Sequence, residues 1–140
     1  MEHLSGIVIF IIGFMIFKSI MMKPLDLSTD NQILKSVNLD EAFKLFEEGI
    51  NIIDVRTAGE FSDSRLKNAK NCDIYNNKFK EKLSKFDKNK KYLIYCQNGF
   101  RSRNALKIMK NLGFKETYEL RGGITTWING KKPVITSKSK

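Results

Sequence analysis

The stretch KYLIYCQNGFRS, residues 91–102, decides the fold of this chain. Its first half is a continuous apolar run, which is typical of a short strand buried on both faces of a sheet. The segment RSRNALKIMKNL at 101–112 follows with the spacing of a helix, and Gly113 ends it. A buried strand that passes through a short loop into a helix is the building unit of parallel α/β sheets.

The same alternation continues on both sides of this unit. Strands are predicted at 33–37, 51–55, 69–73 and 117–120, and helices after the capping residue Asn38, at 77–86 and at 124–129. The sequence therefore predicts an α/β domain with a central, mostly parallel sheet flanked by helices. Ligands of such sheets bind beyond the carboxyl ends of the strands, where Cys96 and the pair Asp54 and Arg56 lie.

Composition limits the chemistry that this domain can perform. The 140 residues carry a net charge of +10, two cysteines and one histidine, His3. That histidine lies beside the initiator methionine, which excludes Ser-His-Asp and Cys-His catalysis and a histidine-ligated metal centre. The lysines are scattered over polar faces with few aromatic neighbours, which indicates a solvated surface rather than a nucleic-acid site. We therefore expect no metal, no cofactor and no nucleic-acid partner.

The N-terminal segment differs from the rest of the chain. LSGIVIFIIGFMIFKSIMM at 4–22 contains one charge and would form a helix about 28 Å long, close to the ~30 Å core of a bilayer. A cleavable signal would need a basic start and a small-residue cleavage site, and neither occurs. We predict a single transmembrane helix in a membrane anchor at 1–23, with the lysines that follow it placing the remainder in the cytoplasm. Residues 24–32 are then a polar linker, 33–133 the α/β domain and 134–140 a basic tail.

The loop that follows Cys96 has the composition of an anion cradle. Gly99 permits a tight backbone curl, so that loop amides and the N-terminus of the next helix point their N–H groups inward. This positive field favours thiolate over thiol, so Cys96 could act as a nucleophile without a histidine. An inert cysteine at the end of a buried strand is the alternative.

Residues 33–133 resemble a single-domain rhodanese, a sulfurtransferase. The motifs that carry the resemblance are IIDVRTAGEF at 52–61, YCQNGFRS at 95–102 and LRGGITTWI at 120–128. The resemblance implies a rhodanese-like fold and a reaction through a cysteine persulfide. A sulfane sulfur would pass from thiosulfate or a persulfide donor to cyanide or to a thiol, including a protein thiol.

The resemblance also implies roles for individual residues. Cys96 would be the nucleophile and persulfide carrier, and Arg101 would add positive charge and orient the loop. The substrate would be bound by the other residues of this loop, which are Gln97, Asn98, Gly99, Phe100 and Ser102. Asp54 and Arg56 would support neighbouring loops, with Glu60 as the expected partner of Arg56.

Three further features favour structural interpretations. Trp127 is expected in the core and Gly122-Gly123 in a turn. Cys72 is expected to be a buried, inert thiol rather than a resolving cysteine. The run Ser64-Arg65-Leu66-Lys67-Asn68-Ala69 replaces the Gly-His-Ile-Pro-Gly-Ala often found in the family, so a different turn geometry is expected there.

Two other functions stay open at this point. Related phosphatases and arsenate reductases place five residues between cysteine and arginine, whereas four residues separate Cys96 from Arg101 here. The smaller ring favours a single outer sulfur over a tetrahedral oxyanion. A non-catalytic rhodanese-like interaction module at the membrane is the second alternative, and the presence of Cys96 beside Gly99 and Arg101 argues against it.

Overall fold

The computed structural model describes the backbone of residues 2–138 and the side chains of residues 6–20 and 23–138. Six helices are present in this part of the chain: α1 (Glu2–Met22), α2 (Leu39–Glu47), α3 (Ala58–Asp63), α4 (Phe79–Ser84), α5 (Phe100–Asn111) and α6 (Gly123–Asn129). The strands are β1 (Ile33–Val37), β2 (Asn51–Asp54), β3 (Ser64–Arg65), β4 (Ala69–Asn71), β5 (Lys91–Tyr95), β6 (Glu116–Leu120) and β7 (Ile135–Thr136).

A five-stranded parallel sheet forms the centre of the domain, in the order β1-β6-β5-β2-β4. The predicted α/β fold with a parallel sheet flanked by helices is confirmed. β5, the most apolar strand, lies in the middle of the sheet, so its carboxyl end is surrounded by the ends of its neighbours. Cys96 follows directly on that end, which places it at the position where such sheets bind ligands.

Two apolar clusters cover the faces of the sheet. On one face the buried side chains of β2 and β5 pack against α4 and α5, and this cluster includes Cys96 and Leu106. On the other face Leu93 and Tyr95 pack against α2 and α6. Trp127 belongs to this second cluster and is fully buried, as predicted, with its Nε1 donating to the carbonyl of Pro133.

Local signals explain most of the element boundaries. Asn38 caps α2, as predicted, by accepting a hydrogen bond from the Glu41 amide at its side-chain oxygen, 2.9 Å away. Helix α3, which begins at a capping box of Thr57 and Glu60, was not predicted from the sequence. The predicted helix at 77–86 is shorter, and β3 and β7, which pair antiparallel, were not predicted.

The predicted linker and the start of the predicted tail are both packed against the domain. Leu25 and Leu27 contact the α5-side cluster, and the Leu27 amide donates to the carbonyl of Leu34 at 2.7 Å. Residues 24–32 therefore fold back along β1 instead of forming a free tether. At the other end, Ile135–Thr136 of the predicted basic tail form β7, which pairs antiparallel with β3.

Residues 2–22 form α1, a helix whose apolar side chains are exposed from Ile7 to Ile20. In the described part of the chain, no helix has the length and apolar character that a membrane crossing requires. The structure therefore does not support the predicted transmembrane helix. The end of α1 is tied to the domain, because the Lys23 carbonyl accepts a hydrogen bond from Arg103 Nη1 at 2.7 Å.

The run that departs from the family, residues 64–69, keeps a tight turn by other means. Asn68 adopts a positive φ of 67°, at the place of the glycine in the family's run. Asparagine tolerates this left-handed conformation better than most residues with a side chain. Leu66 is fully buried, and its amide donates to the Tyr95 hydroxyl at 3.1 Å, which anchors the turn to β5.

Candidate active site

The loop from Cys96 to Ser102 curls around the Cys96 sulfur. Gly99 has a φ of 101°, which glycine adopts without steric cost, and its amide donates to Cys96 Sγ at 3.1 Å. The Ser102 hydroxyl lies 3.4 Å from the same sulfur. Gly99 is also the residue that precedes α5, so the sulfur lies at the positive end of that helix.

Cys96 is almost completely buried, with 1% of its surface exposed. Two loop side chains next to it face outward: Asn98 is exposed and Phe100 is 53% exposed. The sulfur therefore lies at the base of the loop, below a rim that carries a polar and an aromatic side chain. This arrangement limits a reaction partner to one whose reacting atom is small enough to enter the loop.

The first turn of α6 holds the loop in its curled form. The Cys96 carbonyl accepts from the Ile124 amide at 2.9 Å, and the Gln97 carbonyl accepts from the Thr125 amide at 3.1 Å. Gly123 makes this approach possible, because a Cβ on it would lie 2.4 Å from the Gln97 carbonyl oxygen. The Gly122-Gly123 turn was predicted, and in the structure it also supports the loop.

Arg101 forms a two-point ion pair with Glu60. Arg101 Nη1 lies 2.7 Å from Glu60 Oε1, and Nη2 lies 2.9 Å from Oε2. The expected pairing of Glu60 with Arg56 is therefore wrong. The capping box explains the difference, because Thr57 fixes Glu60 at the start of α3 so that its carboxylate reaches across to α5.

The same ion pair shifts the ionisation of both groups. The hydrogen bonds from Arg101, and then those from Thr57, outweigh burial and lower the pKa of Glu60 to about 2. The pKa of Arg101 is raised, mainly by Glu60 and to a smaller extent by Cys96 and Tyr75. Arg101 thus stays positively charged close to the loop sulfur.

Asp54 and Arg56 form a buried pair that supports the loop from the β2 side. Arg56 Nη2 lies 2.8 Å from Asp54 Oδ2, and both side chains are at most 2% exposed. Arg56 Nη1 donates to Gln97 Oε1 at 3.1 Å, and Gln97 Nε2 donates to Thr125 Oγ1 at the same distance. Asp54, Arg56 and Gln97 therefore connect β2, the loop and α6.

The site also contains a residue that no motif in the sequence indicated. Glu119, on β6, is fully buried and accepts a hydrogen bond from the Ser102 hydroxyl at 2.7 Å. Strand alternation places Glu119 on the same face as Thr117, which was the available signal. Cys72, by contrast, follows β4 as a buried thiol, as predicted, and burial raises its pKa.

The Glu60–Arg101 pair predicts a specific loss of stability in acid. A carboxylate with a lowered pKa stabilises the fold above its unfolded pKa, about 4.5, and this stabilisation is lost as the pH falls towards about 2. Urea unfolding across this window should show a smaller pH dependence for Glu60→Gln than for the native protein. Glu47→Gln, at an exposed glutamate, is the matched control and should retain the native pH dependence.

Comparison with known proteins identifies the family of this domain. The rhodanese-like domain model matches residues 38–130, which include every element from α2 to α6. The chain belongs to the rhodanese family. The thiosulfate sulfurtransferase GlpE of Coxiella burnetii is 34% identical over 94 residues, which cover 66% of this chain and 86% of GlpE.

Two further proteins, one compared by sequence and one by structure, are similar to this rhodanese-like chain. The putative sulfurtransferase YtwF of Bacillus subtilis is 33% identical over 87 residues, covering 62% of this chain and 82% of YtwF. A crystal structure of a rhodanese-related protein from Thermoplasma volcanium is 30% identical, with a TM-score of 0.62 over 71% of this chain and 96% of that one. The central parallel sheet and the flanking helices are therefore those of a rhodanese-like domain.

Proposed function

We propose that this rhodanese-like domain is a sulfurtransferase that uses Cys96 as its sulfur carrier. The observation that carries the proposal is the position of Cys96 Sγ inside its loop, 3.1 Å from the Gly99 amide and at the positive end of α5. Amide N–H groups and a helix N-terminus stabilise the thiolate, which is the nucleophilic form of cysteine. The relatives named as sulfurtransferases support the same chemistry.

The reaction consists of two balanced displacements. The Cys96 thiolate attacks the outer sulfur of thiosulfate, the sulfur–sulfur bond of thiosulfate breaks, and sulfite leaves with the bonding electrons. The persulfide that forms carries its negative charge on the outer sulfur, where the loop amides can stabilise it. Cyanide or a thiolate acceptor then attacks that outer sulfur, and Cys96 leaves as the thiolate.

Loop residues would divide the remaining tasks. Arg101, held by Glu60, would keep a positive charge beside the loop. Gln97 is fixed between Arg56 and Thr125 and would keep the loop in its curled shape. Asn98 and Phe100 on the rim would contact the donor or acceptor. Ser102 would hydrogen-bond the sulfur.

Loop size favours sulfur transfer over phosphate or arsenate chemistry. Four residues lie between Cys96 and Arg101, and Arg101 donates both of its terminal nitrogens to Glu60 instead of pointing them into the loop. A tetrahedral oxyanion would need those donors. A non-catalytic interaction module would need neither a cysteine at the loop base nor an amide directed at its sulfur.

Intact-mass measurement after incubation with thiosulfate tests the proposal. We expect an adduct of about 32 Da, the mass of one sulfur atom, that disappears when cyanide is added and thiocyanate is released. An aryl phosphate and arsenate, tested in parallel, should not be turned over. A protein that forms no adduct and produces no thiocyanate would be the interaction module instead.

We also propose that α1 attaches the protein to a membrane, with the rhodanese-like domain on the cytoplasmic side. The support is the run of exposed apolar side chains from Ile7 to Ile20, since so large an apolar surface is rarely left in water. Lysines at the domain side of the helix favour the cytoplasmic orientation.

Alkaline carbonate extraction of membranes tests the attachment. The full-length protein should stay in the membrane pellet, whereas Ile12→Asp, which places a charge in the middle of the apolar run, should move to the supernatant. Protease digestion of sealed vesicles should cleave the domain only when the cytoplasmic side faces outward. A native protein that is washed off completely would contradict the attachment.

A further inference from the structure

A buried carboxyl group lies two hydrogen bonds away from Cys96, and the mechanism above does not use it. Glu119 Oε1 accepts from the Ser102 hydroxyl at 2.7 Å, and Ser102 Oγ lies 3.4 Å from Cys96 Sγ. Glu119 Oε2 accepts from the Ser36 hydroxyl at 2.5 Å. Cys96, Ser102, Glu119 and Ser36 therefore form one continuous hydrogen-bonded row, called the Glu119 row below.

Three elements of the fold bring these side chains together. Ser36 and Glu119 are neighbours across the parallel pairing of β1 with β6, so their side chains lie on the same face. Ser102 lies in the first turn of α5 on the buried side of that helix. Cys96 directly follows β5, which is also paired with β6. The row is thus set by sheet register and not by a mobile loop.

A buried carboxyl group held mainly by two hydroxyl groups is costly unless it can hold a proton. Burial raises the pKa of Glu119, and the hydrogen bonds from Ser36 and Ser102 oppose this shift, as do the charges of Arg103 on α5 and Arg121 after β6. Glu119 is fully buried, whereas most glutamates are exposed to water. Such a group holds a proton more readily than an exposed glutamate does, and its hydrogen bond to Ser102 offers a route for that proton.

We propose that Glu119 is a positioning residue that accepts the proton of the Cys96 thiol through the Ser102 hydroxyl. In this step the S–H bond of Cys96 breaks and its proton bonds to Ser102 Oγ. The proton that Ser102 carried bonds at the same time to Glu119 Oε1. Negative charge moves from the carboxylate to the sulfur, nothing is oxidised or reduced, and the total charge of the Glu119 row does not change.

This transfer gives the loop a thiolate without releasing a proton to water. Cys96 is buried, so direct exchange of its proton with solvent is hindered, whereas the row offers an internal acceptor. The inference rests on the proposed function for its purpose, because sulfur transfer needs the thiolate. The proton transfer itself needs no sulfur donor and can be measured without one.

Two groups that share one proton titrate as a pair, in two steps. In the full-length Cys72→Ser variant, Cys96 is the remaining thiol. Its thiolate absorbance in the ultraviolet is obtained by subtracting the spectrum of the variant that also carries Cys96→Ser. This absorbance should rise with pH in two steps separated by a plateau. Glu119→Gln keeps the size and a hydrogen-bond acceptor but cannot take the proton, so its profile should lose one of the two steps. Ser36→Ala, which removes the hydroxyl on the far side of the carboxyl group, is the matched control and should keep both steps.

A second measurement needs no change at Glu119. The carboxyl carbon NMR signal of Glu119 should move at the same two pH values as the thiolate absorbance, and alkylation of Cys96 should leave a single transition. Two steps retained in Glu119→Gln, or a Glu119 signal that ignores alkylation of Cys96, would overturn the inference. Loss of the thiosulfate adduct with both steps intact would instead count against the proposed function alone.

Discussion

Replacement of Cys96 by serine should abolish persulfide formation. The hydroxyl of serine fits the same space but is not ionised by the field of one helix N-terminus, so no nucleophile remains in the loop. We expect no adduct of about 32 Da after incubation with thiosulfate, and a loss of thiocyanate production on the order of 1,000-fold or more. Intact-mass spectra and a thiocyanate assay of the purified variant measure both effects.

The second cysteine provides the matched control for this experiment. Cys72 is also buried, but it follows the edge strand β4, and burial raises the pKa of its thiol. Cys72→Ser should therefore retain the adduct and most of the activity. An adduct that survives in Cys96→Ser and disappears in Cys72→Ser would move the reaction to the edge strand β4, away from the loop on which this mechanism depends.

Asp54→Ala should produce the largest loss of stability among single changes at the site. Arg56 is only 2% exposed, and the Asp54 carboxylate accepts four hydrogen bonds from it. The substitution removes this carboxylate and leaves the buried guanidinium without its partner. Breaking a buried ion pair from one side costs about 3–5 kcal/mol. Urea unfolding at neutral pH should show a decrease of that size in the free energy of unfolding.

A double variant separates the loss of the ion pair from the cost of leaving the Arg56 charge buried and unpaired. Asp54→Ala combined with Arg56→Met removes both charges and keeps an apolar side chain in the space, so it should be more stable than Asp54→Ala alone. Asp63→Ala, at an exposed acid of α3, should change stability by about 0.5 kcal/mol or less. A small loss in Asp54→Ala would mean that Ser64 and Gln97 alone satisfy the guanidinium.

Arg56 also connects this stability to activity. Its Nη1 holds Gln97, whose side chain in turn contacts Thr125 at the turn that supports the loop. A variant that loosens this connection should therefore weaken the curl of the backbone around Cys96. Function and stability are coupled here because the same buried guanidinium joins the sheet to the loop.

Short-range patterns in the sequence determined the elements and the position of the reacting cysteine. The short apolar run of β5, followed at once by a glycine-containing loop and a helix, indicated a buried strand, so a residue directly after it was expected at the ligand-binding edge of the sheet. Asn38 and Gly113 marked where helices begin and end because capping depends on neighbouring residues. The motifs around Cys96 carried the family for the same reason, since their spacing is local.

The tertiary structure alone decided which charged groups meet. Glu60 pairs with Arg101 and not with Arg56, and Glu119 reaches Ser102 from another strand, because sheet register and helix orientation set those distances. Such pairings join residues that are far apart in the chain. Propensity and periodicity depend on neighbouring residues, so they cannot predict which distant side chains meet. The chain itself specified where the sulfur would be; packing of β1, β6 and α5 specified what surrounds it.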